Sequence, residues 1–106
     1  MITIEDFQKV EIKAGKILSV EVIEGSDKLL KLSVDFGEEN PRQVVSGIKK
    51  YFPDPQTLVG TTCAFITNLE PRQIMGLESQ AMILASSSDS HFSLLKMDSP
   101  PGSLVK

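Results

Sequence analysis

The 106 residues contain one cysteine, one histidine and one tyrosine, and no tryptophan. A lone cysteine, Cys63, excludes an internal disulfide and any cysteine-based zinc cluster. It stands in the apolar run Thr62-Cys63-Ala64-Phe65-Ile66. It therefore reads as a buried structural thiol, not a nucleophile, in a chain suited to a reducing cytoplasm. Long apolar runs are missing as well. None approaches the ~20 residues of a membrane span, so no membrane partner is expected. The opening Met1-Ile2-Thr3-Ile4-Glu5-Asp6 has neither the basic nor the apolar region of a signal peptide.

Charge of one sign is scarce: eleven Lys and Arg against fourteen Asp and Glu leave a formal charge of −3. With 41% hydrophobic and 24% charged residues, the composition is that of an ordinary globular chain. Disordered tails, collagen-like repeats and coiled coils are excluded. A chain of this length buries about 65% of its unfolded surface, enough for one core and one domain over residues 1–106. The charge is unevenly spread. Residues 1–39 carry five lysines and nine acids, whereas residues 40–52 carry Arg42, Lys49 and Lys50 and no acid. A polyanion would have to be met by this local patch, not by a wholly basic surface.

Thr3-Ile4-Glu5-Asp6-Phe7 reads as a short helix with Thr3 and Asp6 in a capping box. A long β pattern follows. Val10, Ile12 and Ala14 alternate with Glu11 and Lys13, and Ile17 and Leu18 lead to Val20 and Val22. The phase shift near Gly15-Lys16 predicts a bulge or bend there, as when one strand of a small barrel serves two sheets. Leu30 to Phe36 alternates as a half-buried strand. Across the loop 37–41 it forms an antiparallel hairpin with Gln43-Val44-Val45-Ser46. Asp54-Pro55 opens one helical turn that Gly60 stops. Thr62–Asn68 is a fourth strand and 70–76 an irregular connection. Ser79–Ala85 is a fifth strand and 86–90 a polar loop. Phe92–Met97 is a further short strand, and Ser99-Pro100-Pro101-Gly102 turns into a terminal Leu104-Val105. The fold class is thus all-β. Five strands with a helical turn between the third and fourth have the order of an OB-fold Greek-key barrel, though the spacing also fits other small barrels.

Catalytic chemistry finds no purchase. His91 adjoins a Ser-rich loop, no carboxylates pair at a spacing suited to acid–base work, and Gly47, Gly60 and Gly76 are isolated. No catalytic residue, metal ligand or cofactor is assigned, and no enzyme activity is expected. Two segments stand out instead. Pro41 to Tyr51 holds the basic cluster beside an aromatic; guanidinium and ammonium groups meet phosphates, and a tyrosine ring stacks on bases. The alternative is a solvated strand end. Asn68 to Met82 gathers two methionines, an arginine and several amides, which suit base edges and 2′-hydroxyls. The alternative is a turn followed by a core strand.

Both segments lie within a wider resemblance. Asp6-Phe7-Gln8-Lys9-Val10-Glu11-Ile12-Lys13-Ala14-Gly15-Lys16-Ile17 resembles the opening of the structure-specific tRNA-binding domain family, D-F-x-K-V-x-[IL]-[RK]-x-G-x-[IV]. Asp27-Lys28-Leu29-Leu30 is similar to its D-K-L-L, and Arg42-Gln43-Val44-Val45-Ser46-Gly47-Ile48 to its R-x-[IV]-V-S-G-I. Asn68-Leu69-Glu70-Pro71-Arg72-Gln73-Ile74-Met75-Gly76 is similar to N-L-x-P-[RK]-x-[IL]-x-G. Glu78-Ser79-Gln80 followed by Met82 is similar to E-S-Q-G-M, and Pro100-Pro101-Gly102-Ser103 to the closing P-P-G-[ST].

The resemblance covers nearly the whole chain, in order. It implies an OB-fold with extra C-terminal strands that grips folded tRNA by shape, without catalysis. Such domains occur as free-standing dimeric proteins or as the C-terminal module of methionyl-tRNA synthetases, so a homodimer or a synthetase catalytic chain is an expected partner. The tRNA-contacting positions carried over are Lys28, Arg42, Ser46, Asn68, Arg72, Ser79 and Met82. Phosphate contacts fall to Lys28, Arg42 and Arg72, hydrogen bonds to Ser46, Asn68 and Ser79, and packing to Met82. Ala81 stands where the pattern has glycine; its methyl narrows the approach to that strand if it points outward and changes little if it points inward. A related branch resembles an export chaperone that binds unfolded peptides, and it carries K-P-A-Y-K-L after the first turn. Here Ser26-Asp27-Lys28-Leu29-Leu30-Lys31-Leu32 stands instead, which favours the tRNA branch. A dimerisation appendage with a decayed RNA site is the third alternative.

Overall fold

The computed structural model describes every residue from Met1 to Lys106. Helix α1 (Ile4–Gln8) starts as the sequence predicts. The Asp6 amide donates to Thr3 Oγ1 at 3.1 Å, and the Thr3 amide donates to the Asp6 carboxylate at 3.3 Å.

Strand β1 (Ile12–Val22) is shared between the two halves of a barrel. Its first half pairs with β4 (Thr62–Ile66) and its second half with β2 (Leu30–Asp35), all antiparallel. Lys16 is opposite both Thr62 and Asp35, so the strand changes partner at the expected position. The bulge itself lies further on, between Ile17 and Ser19, with Leu18 extra. Gly15 has a different duty from the one its place in the pattern suggests. A Cβ there would meet Phe36, Val34 and Phe65 side chains at 2.5, 2.7 and 2.8 Å, so its bareness lets the core close against the strand.

The sheet order is β3-β2-β1-β4-β7, with β3 at Arg42–Ser46 and β7 at Met82–Ile83. This is the nearly closed five-stranded antiparallel barrel expected of an OB-like fold. Leu30, Leu32 and Val34 point inward and alternate with half-buried Lys31, Ser33 and Asp35. They meet Ile17, Val44, Cys63 and Phe65 in one core, with Phe36 set edge-on to Phe65 at 5.1 Å. Leu58, from the 3-10 turn Pro55–Leu58 capped by Asp54, joins the same core. Cys63 is fully buried, and burial pushes its thiol above the ordinary range, in keeping with a structural role.

Two expected elements differ. The connection 70–76 is not irregular: β5 (Arg72–Ile74) and β6 (Leu77–Ser79) form a tight hairpin. The fifth strand is not continuous over 79–85 but breaks into β6, β7 and β8 (Ala85–Ser87). The reason lies at the seam with β3, where side chains take over part of the backbone ladder. The Val45 amide donates to Ser79 Oγ at 3.0 Å, the Gln43 amide to Gln80 Oε1 at 2.8 Å, and the Gln80 amide to the Gln43 carbonyl at 2.8 Å.

The Ser-rich stretch is also more ordered than a loop, because Ser86 and Ser87 pair with β9 (Phe92–Leu94) and Ser88 to His91 make the turn. The extra C-terminal strands extend the barrel. Leu95 and Met97 bond along β4, and Gly102, Ser103 and Val105 bond at Ile12 and Ala14, along the edge of the first half of β1 that β4 leaves open.

Candidate nucleic-acid interface

The end of the barrel where β3 finishes gathers most of the expected contact residues. Ser46 pairs with Leu30 there, which places Lys28 beside it, and the Lys49 amide donates to the Lys28 carbonyl at 3.1 Å. Against Ser46 lies a shallow concavity of about 50 Å3 lined by Leu69, Arg72, Ser79, Ala81 and Met82 among others. The hairpin β5–β6 brings Arg72 in by setting it opposite Ser79. Lys28, Ser46, Arg72, Ser79 and Met82 therefore share one end of the molecule.

Arg42 and Asn68 do not join them as free groups. Arg42 occupies the other end of β3, opposite Val34. Its Nε and Nη2 donate to the two Glu38 carboxylate oxygens at 2.8 and 2.7 Å, and its Nη1 donates to the Thr67 and Gln80 carbonyls at 2.7 and 3.2 Å. The guanidinium also lies 5.4 Å from the Phe36 ring centroid. Bonding to Arg42 holds the Glu38 carboxyl below its usual range, and Glu38 in turn raises Arg42. Asn68 spans two segments: its Oδ1 accepts from the Glu11 amide at 2.8 Å and its Nδ2 donates to the Lys9 carbonyl at 2.7 Å. Nearby, the Thr67 hydroxyl donates to Glu11 at 2.6 Å, which with Lys13 lowers the Glu11 carboxyl. Ser79 is buried and its hydroxyl is engaged by Val45 and Ala81, so it shapes the concavity from beneath.

The methyl of Ala81 resolves the question left by the missing glycine. Ala81 is 8% exposed and belongs to the core cluster, so its methyl points inward. Tyr51 behaves differently from an open stacking platform. It stacks on Phe92 with centroids 3.8 Å apart and planes 4° from parallel, and Lys50 Nζ sits 5.0 Å from its centroid.

Electrostatics separate the cations into two groups. Lys9, Lys13, Lys31 and Arg42 pair with carboxylates at 2.7–3.6 Å. The other seven, Lys16, Lys28, Lys49, Lys50, Arg72, Lys96 and Lys106, have no carboxylate within ion-pair distance, and of these Lys28, Lys49, Lys50 and Arg72 lie in the segments around Ser46 and the β5–β6 hairpin. Lys49 and Lys50 were visible in the sequence only as part of the basic cluster; their release from internal pairing is what puts them in this group. The Gln43–Gln80 seam left no sequence signal, because it joins strands far apart in the chain. No helix is long and apolar enough to cross a membrane.

Comparison with known proteins agrees with this geometry. Residues 12–103 match the family described as a putative tRNA binding domain. The chain is 44% identical over 98% of its length to the methionine–tRNA ligase of Lactococcus lactis, and 48% identical over 99% to that of Methanocella arvoryzae. It spans only 16% and 15% of those two proteins. Among solved structures, a MetRS-related protein from Pyrococcus horikoshii superposes with a TM-score of 0.92 at 32% identity, covering 100% of this chain and 98% of that one. The chaperone CsaA of Bacillus anthracis gives a TM-score of 0.87 at 25% identity, covering 100% and 99%. A match across nearly the whole barrel, with relatives above 40% identity, leads to one conclusion: the chain belongs to the tRNA-binding domain family.

Proposed function

We propose that this chain is a non-catalytic module that holds folded tRNA at the end of its barrel, as a free-standing protein or as the C-terminal part of a methionyl-tRNA synthetase. The observation that carries the reading is Arg72, without a carboxylate partner, on a concavity that it shares with Ser46 and Met82, with the unpaired Lys28, Lys49 and Lys50 in the segments next to Ser46. These cations take phosphates, Ser46 donates or accepts at the rim, and Met82, 41% exposed, packs on a nucleotide. Arg42, Asn68 and Ser79 act by positioning: they fix β3, the start of β1 and the floor of the concavity. Few phosphates are met and the chain is acidic overall, so binding is weak, with a salt slope set by those few contacts, and recognises shape more than sequence.

A gel-shift titration with folded tRNA and with its unfolded transcript tests the reading. Tighter binding of the folded form is expected; equal or absent binding of both sinks it.

A homodimer fits the same reading. Ile4, Phe7, Val10, Leu104 and Val105 line a groove of about 450 Å3 between α1 and the C-terminal segment. Ile4 and Leu104 stand 64% and 52% exposed there, an apolar surface suited to a second copy. The likeness to the CsaA chaperones supports a second reading, a dimer that binds unfolded peptides. Its sign is suppression of aggregation of a denatured client without affinity for tRNA.

A further inference from the structure

The β5–β6 hairpin turns through only two residues, since Ile74 pairs with Leu77 and leaves Met75 and Gly76 between them. Both have positive φ, +51° and +77°. That combination belongs to the hairpin turn that favours Asn-Gly or Gly-Gly, because both central residues must enter the left-handed region. Gly76 does so freely. Met75 is the one residue other than glycine in the molecule with positive φ, and its Cβ makes the conformation costly. Burial does not offset the cost, for Met75 is 58% exposed. A strained and exposed apolar side chain is a sign of a contact made outside the folded chain.

Its surroundings indicate which contact. Leu69 and Met82, 47% and 41% exposed, lie along the concavity that the hairpin borders. Arg72, in the same hairpin, has no carboxylate partner. Glu70 also lines the concavity but makes no ion pair with it. Flat apolar and thioether surfaces beside a free guanidinium match a nucleotide: the side chains cover a base and the cation takes its phosphate. Resting on the tRNA reading above, we propose that Met75 is a contact residue that the hairpin turn holds out against an unstacked, unpaired base of the folded tRNA. The turn sacrifices stability to place it there.

The test compares the wild-type protein with Met75→Asn and Met75→Leu. Asparagine relieves the left-handed strain but removes the apolar surface; leucine keeps both. Met75→Asn is expected to melt roughly 2–6 °C higher and to bind folded tRNA about 5- to 10-fold more weakly, with an unchanged salt slope because no charge is lost. Met75→Leu should stay within about 2-fold of wild type, well inside the ~5-fold loss of a base contact. Base-reactive chemical probing should show an unpaired base protected by the wild-type protein and exposed again with Met75→Asn. Wild-type-like affinity and protection with Met75→Asn overturn the inference alone. Failure of the wild-type protein to bind folded tRNA overturns it together with the tRNA reading. Loss of aggregation suppression for a denatured client, with tRNA binding intact in Met75→Asn, assigns the residue to a peptide and also overturns the proposal.

Discussion

The Arg42 guanidinium grips both oxygens of the Glu38 carboxylate, at 2.8 and 2.7 Å, while its remaining nitrogen donates to the Thr67 and Gln80 carbonyls. One side chain thus ties the loop between β2 and β3, the residue after β4 and the link between β6 and β7. Arg42→Ala strips three groups of their donor at once. It should destabilise the fold by about 1–3 kcal/mol, a discounted figure because the side chain is 23% exposed. Chemical denaturation measures the loss. Its effect on tRNA affinity should appear only where the barrel has loosened.

Arg72 offers the contrast, since no carboxylate partners it and it lies at the concavity. Arg72→Ala should leave the melting temperature nearly unchanged and shallow the salt dependence of tRNA binding by about one unit of slope. Arg72→Glu should abolish binding while sparing self-association. A stability loss that matches the binding loss would move Arg72 into the supporting structure.

Acid should loosen the seam in a definable way. Glu38 and Glu11 have carboxyls held below their ordinary value by Arg42 and by Thr67 respectively. A depressed native pKa means that the unfolded chain binds protons more readily, so stability rises with pH through that range. The contribution is complete above the ordinary glutamate value and is lost as pH falls through the lowered one. Thermal melts from neutral to acid pH should show this decline, and Glu38→Gln should flatten it.

Gly15→Ala tests the packing of β1. The added methyl would fall within 2.5–2.8 Å of Phe36, Val34 and Phe65, all buried and none with room to swing away. A destabilisation of about 1–3 kcal/mol is expected from overpacking, measurable by denaturant titration. A neutral result would show that the barrel widens there at little cost.

The groove at α1 carries the oligomerisation prediction. Phe7→Glu, on an exposed helix face, should shift the mass measured by light scattering from two copies to one without lowering helix or strand content. Phe7 is 37% exposed, so Phe7→Glu also gives up some packing within the chain, and an unchanged circular dichroism spectrum separates the two effects.

The alternation of Leu30, Leu32 and Val34 with Lys31, Ser33 and Asp35, and the Thr3–Asp6 capping box, were legible because each depends on neighbours in the chain. The β5–β6 hairpin was missed because its loop, Met75-Gly76, lacks the asparagine or glycine that such a turn prefers at its first position. The breaks in the fifth strand were missed for a different reason. They follow from Ser79 and Gln80 turning toward Val45 and Gln43, partners more than thirty residues away.

The sequence by itself determined the all-β class, the order of the barrel strands, the family and the neighbourhood of the basic cluster. Periodicity and motif order are properties of the chain read along its length. Only the tertiary structure decided which cations are free. Arg42 and Lys49 look alike in the segment 40–52, yet Arg42 folds back on Glu38 in the preceding loop and closure of the barrel brings it the Thr67 and Gln80 carbonyls, while no carboxylate reaches Lys49. A charge is spent or kept according to what the fold places within hydrogen-bonding reach of it, and that distance is set in space, not in sequence.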